Sequence, residues 1–192
     1  MQRRVILALL IVLAGLTLVW IAALRLPDAT VDTKSMQSSA AAKESAYLSM
    51  PVAGVSSATL RDSWGDPREN GLRAHHGTDI PAAAMTPVLA AASGVVEKLF
   101  QSEAGGNTIY IRAPQRDWIF YYAHLAGYAR SIRAGQVVKA GDTIGYVGDT
   151  GDAGPGNYHL HFGLTRTAAG DRWYQGTDVD PFPYLVGKRS LR

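Results

Sequence analysis

Two short segments of the sequence hold four of its five histidines, and together they could bind a metal ion. The first segment is His75-His76-Gly77-Thr78-Asp79, and the second, much further along the chain, is His159-Leu160-His161. The fifth histidine, His124, lies between them in an aromatic-rich run. Because the chain contains no cysteine, imidazole and carboxylate groups are the only candidates for a transition-metal site.

The second segment shows the alternation of a β-strand. If residues 158–164 form a strand, His159 and His161 point to one face, whereas Leu160 and Phe162 point to the other. A lone histidine is more often a core or surface residue than a ligand, but two on one strand face favour a functional role. We therefore expect one face to pack against the core and the other to carry the chemistry.

The first segment must bend before it can supply two ligands to one ion. In an extended chain His75 and Asp79 share a face, but they are about 13 Å apart, which is too far for one ion to bridge. Gly77 permits the bend, and Pro81 argues against a helix. His76 points away from the shared face, so we predict that it is an ordinary exposed histidine.

Two histidines and one carboxylate, with water in the fourth position, form an open tetrahedral zinc site suited to hydrolysis. Histidines beside such a site can take a proton from the water, stabilise the oxyanion and protonate the leaving amine. Residue spacing alone leaves open whether His159 or His161 binds the ion. Near the histidines, we expect Tyr121, Tyr122 and Tyr158 to line an open groove for an extended peptide.

The composition indicates one domain and a tail. With 192 residues, 47% of them hydrophobic, the chain can form a proper core. The formal net charge of +3 comes entirely from Arg3, Arg4 and Arg25, because residues 26–192 contain 16 basic and 16 acidic residues. A neutral domain gives no indication of a nucleic-acid-binding surface.

The N-terminal segment predicts a membrane anchor. The run from Val5 to Leu24 has no charged residue and is long enough to span a bilayer. Ala22-Ala23-Leu24-Arg25 is not a clear cleavage site, which favours an uncleaved signal anchor over a cleaved signal peptide. The two arginines before the run outweigh the single arginine after it. Residues 1–26 are therefore predicted to be a cytoplasmic stub and one transmembrane helix, with the rest of the chain exported.

The remainder of the chain divides into a linker, a β-rich domain and a short tail. Residues 27–49 are rich in Ser, Ala and Thr and predict a linker. Short apolar runs separated by Gly, Pro and Asp predict strands at residues 87–92, 95–100, 108–112, 118–124, 137–138, 143–147 and 158–164. With no run of helical period, this pattern predicts a mostly-β domain at residues 50–186, folded as a curved antiparallel sheet or small β-sandwich. The tail is residues 187–192.

The motifs of this domain resemble those of the M23 peptidases, the zinc endopeptidases of the lysostaphin and LytM type. They are Trp64-Gly65-Asp66-Pro67-Arg68, His75-x-Gly77-x-Asp79, Tyr122-Ala123-His124-Leu125, Val138-Lys139-Ala140-Gly141-Asp142 and His159-Leu160-His161-Phe162. Each motif is weak alone, but their order and spacing are specific. The resemblance implies a LytM-type β fold, a Zn²⁺ cofactor and hydrolysis of peptide bonds in peptidoglycan cross-links or stems.

The resemblance also assigns roles to individual residues. Carried over position by position, it implies that His75, Asp79 and His161 are the zinc ligands and that His124 and His159 are the catalytic histidines. It implies a peptidoglycan peptide as substrate, and other cell-wall proteins are candidate partners. Together with the anchor, it predicts a single-pass protein of the bacterial cytoplasmic (inner) membrane whose peptidase domain lies on the periplasmic side.

Two positions depart from the family pattern. Met85 stands where glycine commonly precedes Thr-Pro-Val, and Gly163 stands where an acidic residue commonly follows His-Leu-His-Phe. We expect both departures to affect loop shape rather than the metal site, and the insertion-like residues 152–157 to reshape one wall of the groove.

A non-catalytic function is the main alternative. Some relatives of this family have lost their ligands and act as LytM-type regulators that activate other cell-wall hydrolases, whereas this chain retains all five side chains of the site. A lipoyl-like carrier domain is a weaker alternative, because no lysine lies at a suitable hairpin tip.

Overall fold

The computed structural model describes residues 47–191 of the chain. The transmembrane anchor predicted for residues 1–26 and most of the linker predicted for residues 27–49 lie outside the described residues. Within residues 47–191, no helix is long and apolar enough to cross a membrane.

Strands dominate the regular structure of the described residues. They are β1 (Pro67–Arg68), β2 (Arg73–Ala74), β3 (Thr78–Pro81), β4 (Pro87–Leu89), β5 (Gly94–Ser102), β6 (Gly106–Arg112), β7 (Trp118–Tyr128), β8 (Val137–Val138), β9 (Thr143–Val147), β10 (His159–Arg166) and β11 (Thr177–Val179). One short helix, α1, spans Phe182–Leu185, and 3₁₀ turns lie at Ser57–Thr59, Glu69–Gly71 and Gly151–Ala153. All seven predicted strands are present, with ends that differ by a few residues.

Nine of these strands form one antiparallel sheet, and β1 and β2 form a separate hairpin. The order along the main path of the sheet is β11-β10-β7-β6-β5-β8. Beyond this path, β3 pairs with β10, and β9 pairs with both β4 and β7. Every pairing is antiparallel, which confirms the predicted mostly-β antiparallel fold.

Strand β10 shows how the sheet separates packing from chemistry. Leu160, Phe162 and Leu164 are almost completely buried on its core face. His159 and His161 lie on the opposite face, where they contact the ring of His124. The alternation expected for this segment is therefore present, and the apolar side chains fix the register of the strand because a slip by one residue would expose them.

Four short strands were not predicted from the sequence. β1, β2, β3 and β11 have two to four residues each and, unlike β8 with its two valines, none contains a run of apolar residues that would mark it as a strand. Both residues of β2 are exposed. β3 nevertheless matters most for the site, because its pairing with β10 places Asp79 directly opposite His161.

The two departures from the family pattern have different structural settings. Met85 lies in the loop between β3 and β4 with a φ of 65°, in the left-handed region that costs a residue other than glycine about 1–2 kcal/mol. Glycine therefore suits this position better than methionine. Gly163 does not lie in a loop, contrary to expectation, but inside β10, where an added Cβ would lie 3.1 Å from Cδ1 of Tyr121.

Candidate active site

The pairing of β3 with β10 brings three predicted ligands together. Oδ1 of Asp79 lies 3.0 Å from Nε2 of His75 and 3.2 Å from Nδ1 of His161. The two imidazole nitrogens are 2.8 Å apart. Among residues 47–191, these three side chains form a group whose potential ligand atoms all lie within 4.8 Å of one another. We call this group the His-Asp-His cluster.

The geometry of the cluster fits a tetrahedral zinc ion. Zinc binds histidine nitrogen at about 2.0–2.1 Å and carboxylate oxygen at about 2.0–2.2 Å, so neighbouring ligand atoms of a regular tetrahedron lie about 3.3–3.5 Å apart. The three observed separations, from 2.8 to 3.2 Å, need only small adjustments to reach that range. The donor set of two imidazoles and one carboxylate is also one that zinc uses in hydrolytic sites. The role of these residues as zinc ligands stays a prediction.

Ser63 orients two members of the cluster at once. Its backbone carbonyl lies 2.7 Å from Nδ1 of His75, and because a carbonyl only accepts, Nδ1 must carry the proton. Nε2 of His75 therefore presents a lone pair to the cluster. The hydroxyl of Ser63 accepts a hydrogen bond from the backbone N–H of Asp79 at 3.1 Å. Ser63 is buried, and nothing in its sequence context identified it beforehand.

Gly77 is required by close packing rather than by an unusual backbone angle. It was expected to permit a bend, but it has no positive φ. Instead, a Cβ at this position would lie 2.5 Å from Cε1 of His161 and 2.9 Å from the carbonyl oxygen of Phe162. Any larger residue would displace the imidazole that the cluster needs. His76 points away from the cluster as predicted, stacking on Trp64 at 5.0 Å with an exposed side chain.

The electrostatics of the cluster favour the protonation states that bind metals. Burial alone would raise the pKa of Asp79, but its interactions with the imidazoles of His161 and His75 outweigh burial and hold that pKa far below its usual range. Burial lowers the pKa of His161, although its hydrogen bond with Asp79 acts in the opposite direction. An ionised carboxylate and a neutral imidazole are the forms in which these side chains bind metals.

A β-bulge turns His124 towards the cluster. Strand β7 shifts register against β6 between the pairs Asn107↔Leu125 and Ile109↔Tyr122, so β7 has one extra residue there. His124 lies at the bulge with a φ of 60°. Strict alternation would place it on the same face as Tyr122, which is fully buried in the core. The bulge instead puts its ring 5.9 Å from that of His161.

His124 and His159 both use Nδ1 to bind a backbone carbonyl and leave Nε2 for the groove. Nδ1 of His124 donates to the carbonyl of Thr150 at 2.8 Å, and Nδ1 of His159 donates to the carbonyl of Asn157 at 2.8 Å. Both Nε2 atoms are therefore unprotonated in the neutral rings and able to accept a proton. The two rings lie 4.9 Å apart. Burial lowers the pKa of His124, while its bond to the Thr150 carbonyl opposes the shift.

One groove of about 740 Å³ is lined by the three members of the His-Asp-His cluster together with His124 and His159. The floor of the groove comes from the sheet, and its walls include the β1–β2 hairpin, the segment after β9 and the loop before β11, which contribute Arg73, Asp152, Asn157, Trp173 and Tyr174. Residues of the insertion-like segment 152–157 thus form part of the groove wall. The groove therefore has room beside the histidines for part of a peptide chain.

The tyrosine prediction was right for one residue of three. Tyr121 lines the groove and its ring lies 5.7 Å from that of His161. Tyr122 is fully buried on the opposite face of β7, where its hydroxyl accepts a hydrogen bond from the backbone N–H of Ala91. Tyr158 is 41% exposed and does not line the groove. The error for Tyr122 follows from the alternation of side chains along a strand, because Tyr122 must face the opposite way from its neighbour Tyr121.

Comparison with known proteins agrees with this geometry. Residues 73–181, more than half of the chain, match the family described as peptidase family M23. The chain belongs to peptidase family M23. The matched region includes His75, Asp79, His124, His159 and His161.

Several M23 relatives of known activity are similar to this chain. The L-Ala–D-Glu endopeptidase of Bacillus subtilis is 39% identical over 133 residues, which cover 66% of this chain and 39% of that protein. The peptidoglycan DD-endopeptidase ShyC of Vibrio cholerae is 44% identical over 92 residues, which cover 47% of this chain and 20% of that protein. The matched part of the chain thus spans well under half of the length of these two relatives.

A solved M23 structure shows the same fold. The catalytic domain of lysostaphin from Staphylococcus simulans superposes with a TM-score of 0.56 and 30% identity, covering 66% of this chain and 91% of that domain. The LytM-type β fold expected from the sequence is therefore confirmed for the peptidase domain. The predicted transmembrane helix is not part of this comparison, because it lies outside the described residues.

Proposed function

We propose that this M23 chain is a zinc-dependent endopeptidase that hydrolyses peptide bonds in peptidoglycan. The observation that carries the proposal is the convergence of five side chains in one groove. Three of them form a cluster with zinc-binding geometry, and the other two aim unprotonated Nε2 atoms into the same space. A non-catalytic regulator does not need these five side chains together, so their presence in one groove favours an enzymatic function.

The metal-binding residues and the two other histidines of the groove have different proposed roles in hydrolysis. Zinc, when bound, supplies Lewis acidity for the scissile carbonyl and for an attacking water. His75, Asp79 and His161 are proposed to hold it. Nε2 of His159, the ring nitrogen that does not face the Asn157 carbonyl, lies 3.9 Å from Oδ1 of Asp79 and is placed to take a proton from the nucleophile. Once it has taken up a proton, Nε2 of His124 is placed to donate a hydrogen bond to the oxyanion or that proton to the leaving amine.

The proposed substrate is a peptide of the bacterial cell wall. The relatives bear the names of enzymes for two bonds, L-Ala–D-Glu and a DD-linkage, and both names denote peptide bonds rather than glycosidic bonds. An open groove beside the cluster suits a flexible, extended peptide. We therefore propose peptide bonds of stems or cross-links as the substrate class.

Digestion of defined muropeptides tests this function. The purified full chain is incubated with stem peptides and cross-linked muropeptides, with added zinc or with a chelator, and the products are separated by chromatography and identified by mass. We expect cleavage of peptide bonds with zinc and none with the chelator. Release of glycan fragments would contradict the substrate class, and a zinc-loaded chain without any hydrolysis would support the regulator instead.

We also propose that the domain acts outside the cytoplasm while attached to the inner membrane. The support is the uncharged run from Val5 to Leu24 with two arginines before it. A reporter that works only in the cytoplasm, fused after Arg192, is expected to be inactive. An active reporter would reverse the orientation, and a shortened protein released from the membrane would show that the anchor is cleaved.

A further inference from the structure

The β1–β2 hairpin carries two arginines to the edge of the groove. Arg68 and Arg73 are directly opposite partners in the hairpin, so their side chains share one face. The loop between them contains Asn70 and Gly71, both with positive φ, as is typical of tight hairpin turns. Both arginines line the groove beside the His-Asp-His cluster.

The two arginines have different partners. Arg68 donates a hydrogen bond from Nη2 to Oδ2 of Asp79 and forms an ion pair with it. Arg73 donates from Nη2 to Oδ2 of Asp152 at 3.1 Å, on another part of the groove wall. Only the first of these ion pairs involves a residue of the cluster.

The contact with Arg68 gives the two oxygens of Asp79 separate roles. Oδ1 faces the cluster, 3.0 Å from Nε2 of His75 and 3.2 Å from Nδ1 of His161. Oδ2 is held by the guanidinium of Arg68. A carboxylate with both oxygens free can bind a metal through either one or both of them. Here the second oxygen already has a charged partner.

We propose that Arg68 is a positioning residue that makes Asp79 a ligand through one oxygen only. This inference rests on the proposed function, because it requires zinc at the cluster. By retaining Oδ2, Arg68 keeps the fourth position of a tetrahedral site available for water and for the substrate carbonyl. Arg68 also fixes the rotamer of Asp79. Oδ1 therefore faces the two imidazoles before the metal binds, and Asp79 loses no further side-chain entropy when it does.

Two effects of removing Arg68 act in opposite directions on zinc affinity. Loss of the guanidinium leaves more negative charge on Oδ1, which strengthens it as a donor. Loss of the restraint frees a carboxylate whose side chain is 22% exposed, so its position must be fixed when the metal binds. Losing an outer partner of a metal ligand typically costs about 10–100-fold in metal affinity or activity, so we expect the second effect to dominate.

The test compares three variants of the full chain by metal titration and by spectroscopy. Zn²⁺ affinity is measured by competition with a chromophoric chelator for Arg68→Gln, Arg68→Lys and the matched control Arg73→Gln, which removes the same charge from the same hairpin. We expect the dissociation constant to rise about 10-fold or more for Arg68→Gln and to change less for Arg68→Lys. Arg73→Gln should bind Zn²⁺ as the unmodified chain does.

Cobalt substitution reports the coordination directly. Tetrahedral Co²⁺ absorbs visible light more strongly than Co²⁺ with five or six ligands, so Arg68→Gln should show weaker absorption if Asp79 binds through both oxygens. Arg68→Lys keeps a cation that can hold Oδ2, and its Co²⁺ spectrum should stay closer to that of the unmodified chain. Circular dichroism establishes that each variant is folded, and a second neutral variant, Arg68→Met, takes the place of Arg68→Gln if that variant does not fold.

The outcomes separate this inference from the proposed function. Absence of zinc binding by the unmodified chain would overturn both. Normal zinc binding by the unmodified chain, with unchanged affinity and an unchanged Co²⁺ spectrum in the folded neutral variant of Arg68, would overturn only the role of Arg68. A raised KM with unchanged metal affinity would make Arg68 a contact for a substrate carboxylate, which also contradicts the positioning role.

Discussion

Replacing His161 with alanine should abolish both zinc binding and peptide hydrolysis. Nδ1 of His161 lies 2.8 Å from Nε2 of His75 and 3.2 Å from Oδ1 of Asp79, so it completes the His-Asp-His cluster. Two remaining protein ligands seldom hold zinc in a hydrolytic geometry. Zinc content by metal analysis and turnover on a defined muropeptide are measured on the same preparation. Asp79→Ala should give the same result.

A neighbouring histidine supplies the matched control for this prediction. His76 also lies in the segment before β3, but it is exposed and pairs with Asp178 rather than with the cluster. His76→Ala should therefore retain its zinc. Retention of zinc by His161→Ala, under conditions in which the unmodified chain is loaded, would show that the cluster is not the metal site.

Strand β10 was predictable because local pattern and tertiary packing agree there. Leu160 and Phe162 alternate with His159 and His161, and the sheet buries the first pair and turns the second pair towards the groove. The same agreement holds for the other long strands, whose apolar residues recur over five or more positions. The sequence therefore predicted the mostly-β fold and the residues that converge, although spacing alone did not choose between the two histidines of β10.

Features that depend on pairing between distant strands could not be predicted. His124 reaches the groove only because β7 bulges against β6, and strict alternation would have placed it in the core with Tyr122. Ser63 contacts His75 through its backbone carbonyl, which leaves no mark in side-chain chemistry, and its hydroxyl bonds only the backbone N–H of Asp79. Arg68 acts through a two-stranded hairpin too short to show a pattern. For His124 and Arg68 the signal lies in strand pairing that residue spacing does not reveal, and only the family resemblance assigned His124 to the site.

Replacing His124 or His159 should leave zinc bound while lowering turnover by about 100-fold or more, the size of effect expected for a lost proton-transfer group. Both rings are held by carbonyls through Nδ1, and neither belongs to the cluster whose ligand atoms lie within 4.8 Å. Zinc content and turnover are measured for His124→Ala and His159→Ala beside His161→Ala. Denaturant unfolding of each variant separates a catalytic loss from a loss of the fold.

His124 and His159 differ in their distance from Asp79, and this difference allows their roles to be told apart. Nε2 of His159 lies 3.9 Å from Oδ1 of Asp79, close enough that His159 and His161 could exchange roles along the strand. His124 has no such ambiguity, because its nearest carboxylate oxygen belongs to Asp152, at 3.9 Å. If His159→Ala lost its zinc while His161→Ala kept it, the roles on β10 would be reversed, yet His124→Ala should still retain zinc and lose turnover. Loss of zinc from His124→Ala would contradict the division into three ligands and two proton-transfer groups.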